Sequence, residues 1–476
     1  MSDATDESPA EREELHTESH DPAVPAAYAA FMRTGWGERE LDLPPHPITE
    51  WARGRRERLA EQFPGDRLVV PAGGFKVRAN DTDYRFRSET AHTYLCGNQT
   101  SDAVLVLEGG ETVLYARPRS SRETDEFFRD RQYGELWSGR RPSLHEISDS
   151  LGVETRHLDD LGDRLGSSTK TRVLRGVDPR VDTLVTGDEA RDDDLARVLS
   201  ELRLVKDDWE IGELQAACDI TTLGFEDSVR EWDRVLEHGE RWLEGTFFRR
   251  ARTMGNDIGY DSIVGGGRHA TTLHWVENSG PVTPGELILL DMGAEATSLY
   301  TADVTRTLPV DGTYTPLQRD LYSLVLSAQQ AGLDAVRPGA AFRAAHEAAM
   351  TVLAHGLGDL GLLPVSVEEA LDPESRVYSR WTLHGTSHML GLDVHDCAAA
   401  DSGTYPGGEL EEGMVLTVEP GLYFQEDDLL VPEELRGIGI RIEDDVVVTA
   451  DGARNLSAAL PREPDEIEAW MARLRG

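Results

Sequence analysis

In the second half of the chain, short runs of apolar and β-forming residues repeatedly run into a carboxylate. Leu287-Ile288-Leu289-Leu290 leads into Asp291, Met414-Val415-Leu416-Thr417-Val418 into Glu419, and Ile438-Gly439-Ile440-Arg441-Ile442 into Glu443. Asp303 sits among the β-formers Tyr300, Thr301, Val304 and Thr305. A strand that ends at water accounts for any one of these. Four in one region constrain the fold, because a carboxylate buried without a partner is costly and must take a cation or a proton.

A fifth segment adds nitrogen donors. His384-Gly385-Thr386-Ser387-His388-Met389-Leu390-Gly391-Leu392-Asp393-Val394-His395 holds three histidines within twelve residues, in a chain with 14. Gly385 stands where the zinc helix His-Glu-x-x-His needs its glutamate, so that motif is excluded. Gly385 and Gly391 predict turns around the imidazoles. Strand alternation places Arg441 and Glu443 on one face and Ile440 and Ile442 on the other. Asp291, Asp303, His388, Glu419 and Glu443 together give four carboxylates and one imidazole. That set suits two hard or borderline dications, Mn²⁺ first, with Co²⁺, Zn²⁺ and Fe²⁺ acceptable to the same donors. Four negative charges against two ions of charge +2 leave a cluster near neutral, which is what allows burial.

Composition bounds the rest. A chain of 476 residues suits two domains and a tail. With 88 acidic against 48 basic residues the net charge is -40, which disfavours nucleic acid as a partner. The three cysteines, Cys96, Cys218 and Cys397, show no Cys-x-x-Cys spacing and read as reduced thiols. Residues 1–25 carry Asp3, Asp6, Glu7, Glu11, Glu13 and Glu14 and read as a disordered acidic head with no signal peptide. No apolar run approaches the roughly 18 residues of a membrane span. The expectation is a cytoplasmic protein that meets neither membrane nor nucleic acid.

Periodicity divides the chain into residues 46–205 and 206–476. The first part reads as an α/β domain. It has a helix from Thr49 with Trp51, Leu59 and Phe63 as its apolar positions, and a strand at Leu68–Val70. A hairpin joins Ala103–Leu107 to Thr112–Ala116, strands are expected at Val173–Val177 and Thr183–Val185, and a helix at Asp192–Leu204. Asp207, with Glu210 three residues on, predicts a capping box opening a helix whose buried face carries Ile211, Leu214, Cys218 and Ile220. Further helices are expected at Glu240–Arg252, at Pro316–Val336 behind the cap Thr315, and at Phe342–Leu357.

At these five segments the chain resembles the pita-bread metallopeptidases, the family of methionine aminopeptidases, prolidases and creatinases. Within it the closest likeness is to bacterial Xaa-Pro aminopeptidases (aminopeptidase P). The resemblance covers nearly everything after the acidic head. It implies an α/β (α+β) protein in which a creatinase-like N-terminal α/β domain precedes a pita-bread catalytic domain with a curved, mainly antiparallel sheet covered by helices. It implies metal ligands at Asp291, Asp303, His388, Glu419 and Glu443, with Asp303 and Glu443 bridging two metals. Tyr260-Asp261-Ser262-Ile263-Val264-Gly265-Gly266-Gly267 leading to Leu273-His274-Trp275 resembles the family's substrate-side loop. His274, His384 and His395 match catalytic histidines of the family; Arg441, two residues from Glu443 on the same strand face, is placed to orient the carboxylates from outside. The implied activity is release of the N-terminal residue from peptides with proline second, by a hydroxide activated between two metals, in a homodimer or homotetramer. Trp275, Tyr423 and His384 are candidates for the wall of a proline pocket.

Met292–Ala302 is one residue longer than in many relatives and predicts a bulge in the hairpin between the two aspartates. The rival within the family is an Xaa-Pro dipeptidase (prolidase). His384-Gly385-Thr386-Ser387-His388 is nearer the aminopeptidase form than the prolidase form, which has Gly-Leu-Gly between its histidines. The reading from a different class is a metal-free pita-bread binding scaffold; such proteins lose ligands, and all five are present here.

Overall fold

Arg67–Pro71 (Arg-Leu-Val-Val-Pro) is buried at every position, as a strand covered on both faces must be. It lies inside a five-stranded sheet of order Glu154–His157, Glu111–Ala116, Val104–Glu108, Arg67–Pro71, Thr171–Val173. The inner pairs are antiparallel and the two outer pairs parallel. The hairpin expected from the sequence is present and tighter than expected. Glu108 pairs with Glu111, leaving Gly109-Gly110 as a two-residue turn with φ of 61° and 86°. Both values are left-handed, as the turn that matches strand twist requires.

A computed structural model describes residues 15–17, 21–37, 39–166, 170–185 and 187–475. It divides into two compact units, Met1–Leu195 and Ala196–Gly476. Most of the acidic head, residues 1–14 and 18–20, lies outside the described residues. Of the remainder, Asp21 pairs with Arg131, and the His16 backbone N–H and ring reach the Asp130 carboxylate. Three expectations fail in the first unit, the first at Trp51, which the helix Thr49–Gln62 leaves exposed. Thr183–Val185 is not a strand: Pro179–Leu184 is helical, with Asp178 accepting from Arg180 N–H and Pro179 in the first turn. A side-chain cap followed by proline starts a helix more strongly than three β-formers start a strand. The neighbouring strand runs Thr171–Val173, earlier than expected.

In the second unit the capping box of Asp207 and Glu210 opens the helix Asp208–Arg230, which buries Leu214, Cys218, Ile220 and Thr221. The box of Thr315 and Gln318, with Pro316 in the first turn, opens Pro316–Ala335. Further long helices are Glu240–Met254, Ala344–Asp359 and Pro464–Arg475. They bury apolar faces against open antiparallel sheets. Leu287–Met292 lies between Val304–Pro309 and Ile263–Gly266; Asp444–Thr449 lies between Val415–Val418 and Gly452–Asn455; Gly421–Phe424 pairs with Ile438–Arg441. One core joins strand residues Ile288, Leu290, Val304 and Ile440 to helix residues Phe225, Phe247, Val325 and Leu353. This is the α/β (α+β) arrangement expected, with mainly antiparallel sheets under helices.

The bulge expected between the aspartates is absent. Leu287 pairs with Pro309 and Met292 with Val304. The same register continues through Ala302 N–H to Ala294 O, the Glu295–Thr301 bridge and Ala296 N–H to Tyr300 O. The hairpin closes on residues 297–299, with Leu299 left-handed at φ 72°. Any extra residue falls in this three-residue tip, outside the paired register.

Candidate active site

Register places the acids. Asp291 lies opposite Thr305 on one neighbouring strand and Ile263 on the other. Asp303 immediately precedes the strand Val304–Pro309, and its backbone N–H donates to the Asp445 carboxylate (3.0 Å). Glu443 sits where Ile438–Arg441 ends and Asp444–Thr449 begins. Glu419 follows Val415–Val418, and the histidine segment is stitched beside that strand: Thr417 N–H donates to His388 O (3.0 Å) and Glu419 N–H to Thr386 O (2.8 Å). This stitching brings the His388 ring to Glu419, with Nε2 3.5 Å from Oε1.

All nine site residues expected from the sequence line one cavity of about 590 Å³: Asp291, Asp303, His388, Glu419, Glu443, His274, His384, His395 and Arg441. Within it Asp303, His388 and Glu443 each present a donor atom within 4.8 Å of the others. His388 Nε2 is 3.3 Å from Asp303 Oδ2. Its Nδ1 lies 3.2 Å from Met389 O, a contact that assigns the proton to Nδ1 and leaves Nε2 free to ligate.

Hydrogen bonds fix the acids. Arg441 Nη2 meets Asp291 Oδ2 at 2.5 Å, its Nε donates to Thr305 Oγ1 (3.2 Å) and its Nη1 to the Tyr423 hydroxyl (2.9 Å). Thr305 donates in turn to Glu443 Oε2 (2.6 Å). Tyr423 Oη is 2.8 Å from His384 Nε2, while His384 Nδ1 lies 2.8 Å from Gly385 O and 3.4 Å from Glu419 Oε2. A continuous chain therefore runs from Asp291 through Arg441 and Tyr423 to His384.

Electrostatics separates the acids. Burial, with Asp303 nearby, raises Asp291 to about 6 against the pull of Arg441. Burial, with Asp303, Glu419 and Asp291 around it, pushes Glu443 well above the carboxylate range. Glu419 goes the other way: burial would raise it, but the His384 hydrogen bond and the charges of His384 and His388 hold it at about 2. His388 is lowered by burial but raised overall to about 9 by Asp303 and Glu419. Protonated acids and a protonated imidazole are how a surplus of buried negative charge is relieved when no cation is present. Four acids and one well-oriented imidazole on one cavity therefore fit divalent ions both in donor type and in charge.

Some participants are not legible in the sequence. The Tyr260 hydroxyl lies 2.6 Å from Asp291 Oδ1 and 2.5 Å from Asp303 Oδ1, with its one proton shared between them. Burial and the charges of Asp291 and Asp303 push its pKa well up, so it stays a donor. Thr305 and Asp445 hold Glu443 and Asp303 in the same silent way. No local pattern marks these residues; the pairing of distant strands creates their contacts. Two pocket candidates are corrected. Trp275 does not line the cavity; its ring stacks on His269 (centroids 4.0 Å apart) and its Nε1–H donates to Glu240 (2.9 Å). Tyr423 is buried behind the wall as the link between Arg441 and His384. The apolar part of the wall is Ile263, Leu273, Val276 and Val394.

Comparison with known proteins agrees with this geometry. Residues 212–450 match the model of metallopeptidase family M24, and residues 52–174 that of the aminopeptidase P N-terminal domain. The chain is 53% identical over 463 residues to Xaa-Pro aminopeptidase 2 of Streptomyces coelicolor, covering 96% of this chain and 98% of the relative. It is 34% identical to the Xaa-Pro aminopeptidase of Escherichia coli, covering 88% of this chain and 97% of that one. Among solved structures, the Pseudomonas aeruginosa aminopeptidase PepP superposes with a TM-score of 0.80 at 31% identity, covering 91% of this chain and all of that one. Escherichia coli aminopeptidase P with the inhibitor Pro-Leu superposes with a TM-score of 0.79 at 31% identity, covering 92% of this chain and all of that one. The chain belongs to metallopeptidase family M24, in its aminopeptidase P branch.

Proposed function

We propose that the cavity binds a peptide with proline in second place and releases its first residue, and that Asp291, Asp303, His388, Glu419 and Glu443 hold two divalent ions there. The chain is an Xaa-Pro aminopeptidase. The observation that carries the assignment of residues is the convergence of four carboxylates and one imidazole, from distant strands and a loop, on a single cavity.

Divalent ions bound by these donors supply Lewis acidity and lower the pKa of a water enough to make it a nucleophile at neutral pH. The protein's own groups do the rest. Glu419 is ionised at neutral pH and accepts the proton of the attacking water. His274 and His395 face the cavity and donate to the carbonyl oxygen as negative charge builds there. Burial and the neighbouring His388 lower the pKa of His395, keeping it neutral with one N–H to offer. His384, oriented by Tyr423, contacts the substrate or relays a proton. Arg441 holds Asp291 from outside. The acid-rich end receives the peptide's free amine, which confines cleavage to the N-terminus. Proline has no N–H and a fixed ring, so a site that accepts it needs apolar surface, as Ile263, Leu273, Val276 and Val394 provide.

Mn²⁺ is the proposed ion, on the oxygen-rich donor set with one nitrogen. A cytoplasmic location is proposed on the three free, buried cysteines; no helix among the described residues is long and apolar enough to cross a membrane. A homodimer or homotetramer is proposed on family resemblance. The test is hydrolysis of Arg-Pro-Pro against Ala-Pro, with Mn²⁺ and then with EDTA. Release of arginine from the tripeptide, abolished by EDTA, is expected. Cleavage of the dipeptide alone would make this a prolidase, and activity that survives the chelator would sink the metal assignment.

A further inference from the structure

Glu240, the first residue of the helix Glu240–Met254, is fully buried and outside the cavity, yet its carboxylate is saturated by one loop. Oε1 accepts from Gly266 N–H (2.8 Å) and from His269 Nδ1 (2.8 Å). Oε2 accepts from Trp275 Nε1 (2.9 Å) and from Gly280 N–H (2.6 Å). The backbone closes the same knot, because Glu240 N–H donates to Gly280 O (3.0 Å). The four donors span residues 266–280, and residues 275–279 within that span have no regular secondary structure. A buried acid with two donors on each oxygen is held firmly, since every bond is charge-assisted and none competes with water.

The loop so held is the one that carries His274. Leu273, His274 and Val276 line the cavity, whereas Trp275 turns the other way to reach Glu240. Val276 N–H donates to His274 O (3.1 Å), closing a three-residue turn with Trp275 at its centre, so the flanking side chains line the cavity while the central one points away. Fixing the Trp275 indole from behind therefore fixes the direction of His274 in front. Stacking of the Trp275 and His269 rings, 26° from parallel, locks two of the four donors against each other. The fit is close: a Cβ on Gly280 would come within 2.8 Å of Glu240 Oε1 and 2.5 Å of the His269 ring.

We infer that Glu240 is a positioning residue for the reaction, aiming His274 at the substrate by tying Gly266, His269, Trp275 and Gly280 to one carboxylate. The inference rests on the reading above that His274 acts on the scissile carbonyl. An amide cannot replace the acid, because it offers one acceptor oxygen where four donors need two. In either orientation the NH₂ of Glu240→Gln would face a backbone N–H, of Gly266 or of Gly280, leaving a buried donor unpaired.

The experiment is a double-mutant cycle read as kcat/KM on Arg-Pro-Pro in the Mn²⁺-loaded enzyme, with Glu240→Gln, His274→Ala and the pair. It is accompanied by hydrogen exchange on peptides covering residues 272–280. Glu240→Gln should lower kcat/KM on the order of 10- to 100-fold, through kcat more than KM and with metal content unchanged. Added to His274→Ala it should cost almost nothing further, and exchange should rise in the 272–280 peptides. Trp275→Phe, which removes one donor and keeps a ring, should show a smaller loss with the same non-additivity; it carries the cycle if Glu240→Gln does not fold. A loss additive with His274→Ala, or unchanged exchange at 272–280, would overturn the inference. Wild-type enzyme inactive on the tripeptide would refute the functional reading, while exchange alone would still decide whether Glu240 orders the loop.

Discussion

Stripping the metals should make the protein less stable as pH rises through a range where most proteins gain or hold stability. Asp291 is buried against Asp303, and its pKa is moved from 3.8 to about 6. Its folded pKa is raised above its unfolded value. Its contribution is therefore fully present below about pH 4 and lost as pH rises through about 6. A shift of roughly two units corresponds to about 3 kcal/mol in all, of which about 2 kcal/mol falls between pH 4.5 and 6.5. Glu443, pushed up by burial and the same neighbours, acts in the same direction, whereas His395 and His346, held below the usual imidazole value, gain stability as pH rises and offset part of it. Glu419 has the opposite sign, but its change is complete by about pH 4.5, below the window. For a unit the size of Ala196–Gly476, about 2 kcal/mol moves Tm by about 4 °C. The assay is thermal unfolding in EDTA at steps from pH 4.5 to 6.5, for wild type and Asp291→Asn. Tm of the wild type should fall by a few degrees across the window, and the variant should lose part of the slope. Excess Mn²⁺ should remove it, because bound cations keep the acids ionised. A metal-free Tm that stays flat or rises, or a slope that Asp291→Asn leaves intact, would show that these acids do not crowd one another.

Arg441→Lys should cut kcat/KM by on the order of 10- to 100-fold, since one ammonium cannot reach Asp291, Thr305 and Tyr423 at once; steady-state kinetics with metal content measured in parallel would check it. Asp207→Ala should cost about 1 kcal/mol by denaturant unfolding, through loss of its bond to Glu210 N–H, and leave kcat unchanged.

The acids that line the cavity are legible because an apolar strand that runs into Asp291, Glu419 or Glu443 is a local anomaly, visible without any partner. The caps at Asp207 and Thr315 are legible for the same reason: donor, acceptor and spacing lie within four residues. Thr183–Val185 misleads when its β-propensity is weighed without Asp178-Pro179, whose capping carries those residues into a helix. Tyr260, Thr305 and Asp445 are silent, since their bonds depend on which strands become neighbours. Trp275 misleads for an instructive reason. Adjacency to His274 in sequence suggests a shared pocket, whereas the tight turn closed by Val276 N–H on His274 O sends the Trp275 ring away from it. The carboxylate it does contact lies 35 residues earlier, on a helix that nothing local links to the loop.

The unbroken register from Leu287–Pro309 to Ala296–Tyr300 also sets where this chain can tolerate insertion and deletion. Residues 297–299 close the hairpin and bear no ligand, so a residue gained or lost there leaves Asp291 opposite Thr305. The same change inside Leu287–Met292 would turn every later side chain of the strand to the opposite face, carrying Asp291 away from the cavity and Leu290 into it. Length variation among relatives should therefore be absent from the six residues of Leu287–Met292.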